Sequence, residues 1–250
     1  MMDLSKPIAV RPKKKIYRDG DRVIKVMDED YSAPDVLREA FNLSVVRETG
    51  FRVPALYEVL KIDGKWALVM EHIEGKTLDD LIRENPKNAE AYFNRMVDIQ
   101  LDMHSCKAHR LWRHTDKMED KINESGLDET TRYELHTRLS GLPKHDKLCH
   151  GDFVPINVII TPDDKACVID WFHATQGNAS ADAARTFLCL MLAGNEKHAE
   201  IYLRLFCEKS KTARRYVETW MSIVAASQLV KHKPEEKEFL MRWAHVVEYD

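Results

Sequence analysis

The stretch Leu148-Cys149-His150-Gly151-Asp152-Phe153-Val154-Pro155-Ile156-Asn157-Val158-Ile159-Ile160, followed by Ala166-Cys167-Val168-Ile169-Asp170, decides how this chain is read. A short apolar run leads into a loop that presents Asp152 and, five positions on, Asn157. Val158-Ile159-Ile160 and Ala166-Cys167-Val168-Ile169 are β-prone, and Thr161-Pro162-Asp163-Asp164 between them supplies a turn. The resulting hairpin delivers Asp170, thirteen residues after Asn157, to the same end of the structure. Two carboxylates and a carboxamide that converge suit Mg²⁺. That ion prefers oxygen ligands, keeps several waters and takes one or two protein carboxylates beside substrate phosphates. The plain alternative is a solvated turn, in which Asp and Asn only cap or bend the backbone.

Upstream, Ile8-Ala9-Val10, Lys15-Ile16-Tyr17 and Val23-Ile24-Lys25-Val26 read as strands, the last two joined through Asp19-Gly20 as a hairpin with Lys25 near the middle of its second strand. A helix follows. Ser32 caps it, Pro34 fits its first turn, Asp35 favours the positive end of its dipole and Gly50 stops it. Glu39 lies inside this helix. Strands over 55–62 and 66–70 meet at Asp63-Gly64. Residues 1–72 therefore form a small β-rich α+β lobe, and 73–250 a larger, mainly helical lobe carrying the catalytic hairpin. In the larger lobe the pattern predicts a helix from Leu78 limited by Pro86 and a long helix over 89–105. It also predicts charged helical segments over 107–147 broken at Gly126 and Gly141-Leu142-Pro143, and helices beyond Ala179.

Composition bounds the function classes. A net charge of −3 gives no global basic field for nucleic acid, and Lys13-Lys14-Lys15 is too short to change that. No apolar stretch approaches the roughly 20 residues of a membrane span, and the N-terminus lacks a signal-peptide apolar segment. Five cysteines are scattered without a Cys-x-x-Cys pair and read as free thiols of a cytoplasmic protein.

Phosphoryl transfer needs metal ligands, a carboxylate to orient the attacking hydroxyl and a lysine against phosphate charge. Asn157 and Asp170 fit the metal role, Asp152 the base, Lys25 the phosphate contact and Glu39 an ion pair that holds Lys25 extended. His150-Gly151-Asp152-Phe153 with Asn157 and Val168-Ile169-Asp170-Trp171 resembles the aminoglycoside phosphotransferase and choline kinase-like family, whose members share the two-lobed protein-kinase-like fold. Arg38-Glu39-Ala40, Arg52-Val53-Pro54, Leu68-Val69-Met70-Glu71, Ile73-Glu74-Gly75, Met103-His104 and Asp182-Ala183-Ala184-Arg185-Thr186 fall in the family's order. The resemblance implies an enzyme that uses ATP or GTP with Mg²⁺ to phosphorylate a hydroxyl of a small molecule: an aminoglycoside-like antibiotic, a sugar or an amino alcohol. It implies that Met70, Glu71, His72 and Ile73 connect the lobes, with the backbone of Glu71 and Ile73 against a purine. It further implies that Asp182 anchors the catalytic loop from beneath and that His150 braces it.

Three features depart from the family pattern. The segment over the phosphates, Arg11-Pro12-Lys13-Lys14-Lys15, has no glycine, so lysine side chains stand where backbone amides are expected. Val154 and Ile156 replace a His and a Gly common in relatives, and neither lobe is expanded for a large acceptor. Among other candidates, His104, His109 and His114 lie five apart and read as packing or surface residues, as does His173 beside Asp170. Cys149 and His150 are sequence neighbours that point apart. Glu235-Glu236-Lys237-Glu238 and Glu248-Tyr249-Asp250 form either an acidic wall for a polyamine or an ordinary solvated helix face. A nucleotide-binding pseudokinase is the rival reading. A protein kinase ranks last, because no Ala-Pro-Glu segment follows Asp170.

Overall fold

Two tight hairpins organise the first part of the chain. Gly20 (φ +61°) occupies the first central position of one. Asp63 (φ +48°) and Gly64 (φ +81°) form the other, a pair of left-handed residues that matches the strand twist. The computed structural model describes residues 4–245. β1 (Pro7–Arg11), β2 (Lys14–Asp19) and β3 (Arg22–Met27) come first, then α1 (Ala33–Glu48), β4 (Leu56–Ile62) and β5 (Lys65–Glu71). The five strands make one antiparallel sheet in the order β1-β2-β3-β5-β4. Next come β6 (Lys76–Thr77), α2 (Leu78–Glu84), α3 (Ala89–Ser105), α4 (His114–Glu124), α5 (Glu129–Gly141) and β7 (Lys147–Cys149). β8 (Val158–Ile160), β9 (Ala166–Val168) and β10 (Thr175–Gly177) precede α6 (Ala179–Leu192), α7 (Glu196–Ser210), α8 (Arg214–Glu218), α9 (Met221–Leu229) and α10 (Pro234–Ala244).

The chain divides into two units that interleave in sequence. Residues 1–81 join 155–173, and 82–154 join 174–250. The hairpin β8-β9 belongs with the first unit because β6 pairs with β8 (Lys76↔Ile160, Thr77↔Ile159). In that unit α1 covers one face of the sheet, where Val36 and Ala40 pack on Met27 and Leu68. Ile24, Ala67 and Val69 point to the opposite face, as the two-residue strand period requires. Lys25 therefore shares the helix-covered side with Met27.

The second unit is helical. Phe93, Met96 and Val97 of α3, Leu188 of α6, Tyr202 and Phe206 of α7 and residues 223–226 of α9 are buried in its core. β7 and β10 form a short antiparallel ribbon (Thr175↔Cys149, Gly177↔Lys147). The strands β6, β7 and β10 have only two or three residues each, too few for a periodicity to register in the sequence. No helix among the described residues is long and apolar enough to cross a membrane. The architecture is α+β and of the protein-kinase type, with a five-stranded sheet followed by a mainly helical remainder.

Candidate active site

In the first unit, three predicted residues meet in one ion network. Lys25, on the central strand β3, is 4% exposed and forms an ion pair with Glu39 of α1, itself 3% exposed. Lys25 Nζ also lies 3.0 Å from Asp170 Oδ1. Burial alone would lower the Lys25 pKa, but the carboxylates of Glu39 and Asp170 raise it above the ordinary lysine value. Asp170 behaves inversely. Burial opposes its charge, yet Lys25 and then Lys14 hold it well below the usual carboxylate range. Lys14, first residue of β2, places its Nζ 3.0 Å from Asp170 Oδ2. Desolvation, followed by repulsion from Lys25, lowers the Lys14 pKa.

Local structure aims Asp170. Its backbone is left-handed (φ +65°), a conformation that Asp tolerates better than most residues. The next residue, Trp171, is buried and bonds its indole N–H to Val168 O at 2.9 Å. The Asn42 amide on α1 donates to Trp171 O (3.2 Å) and Phe172 O (3.0 Å). Asn157 closes a 3₁₀ turn before β8 and is 7% exposed, and its carbonyl accepts the Ile169 N–H at 2.9 Å. A carboxylate and a carboxamide that flank the same open end of one hairpin suit a hard divalent cation. Met70 packs against the Met27–Leu68 cluster. The Glu71 N–H donates to Ala55 O (2.8 Å) and its side chain accepts the Ala55 N–H (3.0 Å), so that N–H is already committed. Ile73 is buried.

Asp152 lies in the second unit, in the loop after β7. Gly151 takes φ +77°, and its N–H donates to Asp182 Oδ1 at 2.7 Å. Asp182 Oδ2 accepts from Gln100 (3.2 Å) and lies 3.0 Å from His104 Nε2. Burial would raise the Asp182 pKa, but the hydrogen bond and charge of His104 bring it down to about 2. His150 is fully buried and its Nδ1 accepts the Asp152 N–H at 3.2 Å, so it braces the loop. Asp152 Oδ1 accepts from Cys189 Sγ at 3.7 Å, and Arg185 Nε donates to Gly151 O at 3.4 Å.

His104, read from its spacing as a packing or surface residue, is buried and also bonds Asp182. Its spacing of four from Gln100 on α3 is the signal that links the two. His104, Cys149 and Asp182 approach within 4.8 Å, but Asp182 is occupied by hydrogen bonds and burial pushes the Cys149 thiol well up. His104 and Asp182 belong to a hydrogen-bond network under the loop, and the Cys149 thiol donates instead to Asn178 O at 3.6 Å. His173 stacks edge-on against Phe172 at 4.8 Å. Glu236 is engaged by Lys233 (2.7 Å) and Gln228 (2.5 Å), and Glu238 by Arg242 (2.5 Å), as on ordinary helix faces. Residues 248–250 lie outside the described residues.

The sequence matches the model of the phosphotransferase enzyme family (APH) over residues 13–218. No protein with a curated description matches it. Among solved structures, a thermostable mutant of aminoglycoside phosphotransferase APH(4)-Ia in ternary complex with ADP and hygromycin B is 14% identical, with a TM-score of 0.70 over 96% of this chain and 90% of that one. Choline kinase LicA from Streptococcus pneumoniae is 16% identical, with a TM-score of 0.63 over 94% and 89%. Aminoglycoside-3'-phosphotransferase of type VIII is 16% identical, with a TM-score of 0.65 over 92% of each chain. At these identities the likeness is one of fold.

Proposed function

Because the chain belongs to the phosphotransferase enzyme family, we propose that it moves the γ-phosphate of ATP (or GTP) to a hydroxyl of a small molecule. The observation that carries this reading is the buried lysine between two carboxylates, Lys25 with Glu39 and Asp170. A charged lysine is costly to bury, and the arrangement keeps it cationic where phosphate charge must be met. Lys14, beside the same carboxylate, is a second cation for the phosphates in place of a glycine loop. Asn157 and Asp170 would hold Mg²⁺, which when bound neutralises charge on the β- and γ-phosphates. The backbone at Met70, Glu71 and Ile73 would hold the purine, with 1–72 and 73–250 as the functional lobes. Asp152 takes the proton as the acceptor O–H bond breaks. The oxygen then bonds the γ-phosphorus, the bond to the bridging oxygen breaks and the nucleoside diphosphate leaves. Antibiotic, sugar and amino-alcohol acceptors all fall within this reading, and free thiols at all five cysteines accord with a reducing cytoplasm.

The test is incubation with ATP, Mg²⁺ and a mixed library of hydroxyl compounds, followed for nucleoside diphosphate release and a gain of one phosphate in mass. Asp152→Asn is expected to lower the rate by about 10²–10⁴ while nucleotide still binds. Full activity in that variant would remove the base assignment. The glycine-free turn at Pro12-Lys13 favours a second reading, a nucleotide-binding module with little or no transfer. Nucleotide binding with no acceptor modified across the library is the result that supports it.

A further inference from the structure

One face of α6 runs beneath the loop that carries Asp152. Asp182, Arg185 and Cys189 stand at the i, i+3 and i+7 positions of that face, and each touches the loop. Asp182 accepts from Gly151 N, Arg185 donates to Gly151 O and Cys189 lies against Asp152 Oδ1. The charge of Arg185 is unbalanced. Its Nε serves a backbone carbonyl, its Nη1 is buried with no partner, and no carboxylate among the described residues forms an ion pair with it. Lys231, in the connection after α9, is the second such cation. Its side chain is exposed, and its ammonium lies within electrostatic range of Arg185, Asp152 and Cys189. It too has no ion pair among the described residues. The nearby acid Glu236 is already held by Lys233 and Gln228.

A pocket for a polyamine or an amino alcohol needs carboxylates or aromatic faces turned toward ammonium groups. Asp152 instead has two cations near it, neither of which forms an ion pair among the described residues, and its own carboxylate is the anion in range of Lys231. Arg185 as a residue is only partly buried, and a ligand anion set against it would offset its unbalanced charge. We infer that the acceptor phosphorylated at Asp152 is a hydroxyl compound that also bears a carboxylate or phosphate group, recognised by Arg185 and Lys231. The inference rests on the reading of Asp152 as the base and narrows the acceptors to acidic ones.

The experiment uses the full chain with three matched sets of acceptors: glycerate, gluconate and glucose 6-phosphate; glycerol and glucose; ethanolamine and glucosamine. Phosphoryl transfer is followed with Mg·ATP, and binding of the same compounds is followed separately by ligand-observed NMR without nucleotide. Transfer is expected for the anionic set. Arg185→Gln and Lys231→Gln should each raise KM for it by about 10- to 100-fold, kcat changing less. Arg185→Lys should recover part of the loss, which a purely structural role would not do. The carboxylate and phosphate arms identify which anion is held. If Arg185→Gln does not fold, Lys231→Gln at its exposed position still decides. Transfer to ethanolamine or glucosamine with KM unmoved by these substitutions overturns the inference and leaves the phosphotransferase reading intact. Anion binding that both variants abolish, with no transfer to any compound, keeps the anion site and removes the phosphotransferase reading. A wild-type chain that neither binds nor modifies the anionic set overturns the inference outright.

Discussion

Lys14 Nζ lies 3.0 Å from Asp170 Oδ2, and this contact ties the start of β2 to the second residue beyond β9. The other oxygen of the same carboxylate receives Lys25 at 3.0 Å. The two lysines are not equivalent. Lys25 has Glu39 as a second carboxylate, whereas Asp170 is the carboxylate bonded to Lys14. Lys14 also follows Pro12-Lys13, a two-residue turn with no glycine to wrap phosphate oxygens in backbone amides. Its side chain supplies the charge that such a loop cannot.

Lys14→Ala is accordingly expected to weaken Mg·ATP binding by about tenfold, the loss of one charge-assisted hydrogen bond, and Lys14→Arg to preserve it. Isothermal titration with a non-hydrolysable ATP analogue measures this directly. Equal affinity in wild type and Lys14→Ala would show that Lys14 has no part in holding phosphate.

The Lys25–Glu39 pair makes a sharper forecast. Both side chains are 4% exposed; removing Lys25 leaves Glu39 without its ion pair in the core, whereas Lys25 without Glu39 still faces Asp170. Lys25→Met alone should cost about 3–5 kcal/mol and Glu39→Leu less, whereas the double replacement should recover most of the Lys25→Met loss and still transfer no phosphate. Urea titration of the four proteins checks the stability claim. A double variant no more stable than Lys25→Met would contradict it.

Much of this network could be read from residue order, and its omissions have physical causes. The Asp-Gly turns and the Ser32-Pro34-Asp35 start of α1 were legible because each conformation admits few residue types. The helix over 89–105 has the bounds its periodicity predicts. Lys14 was hidden within Lys13-Lys14-Lys15, yet the strand period holds the signal. Lys14 shares a face with Ile16, and Ile16 pairs with Lys25, so only Lys14 of the three turns toward Lys25. Lys13 instead pairs with Asp30 at the surface. Arg185 and Cys189 carried no separate signal, because an Arg and a Cys on an apolar helix gain meaning only from the loop they meet.

Gly75 controls the seat of the hairpin that carries Asn157 and Asp170. Its φ is +152°, and a Cβ there would overlap the Ile160 carbonyl and come within 2.9 Å of Ile159 Cγ2. Because the obstacle is backbone of β8, paired with β6 just beyond Gly75, no side-chain rotation relieves it. Gly75→Ala should destabilise the protein by about 3 kcal/mol and lower the melting temperature by several degrees. A melting temperature within one degree of wild type would show that the strand pair yields.

His114 sets the pH response in the mildly acidic range. It opens α4, is 8% exposed, meets Trp220 edge-on at 5.7 Å, and its Nδ1 is buried with no partner. Desolvation, then repulsion from Lys117, lowers its pKa from 6.5 to about 4, with Asp182 pulling weakly the other way. The unfolded chain therefore binds a proton that the folded chain refuses. Stability from this group is complete above pH 6.5 and is lost as pH falls toward about 4, by about 3 kcal/mol in all. Asp182 acts in a lower window, since its pKa falls from 3.8 to about 2 and its contribution is lost only below pH about 4. Chemical denaturation at intervals from pH 7.5 to 4.5 should show the slope in wild type and a flatter line in His114→Phe, whatever that variant's absolute stability. Parallel slopes in the two proteins would assign the acid sensitivity to another group.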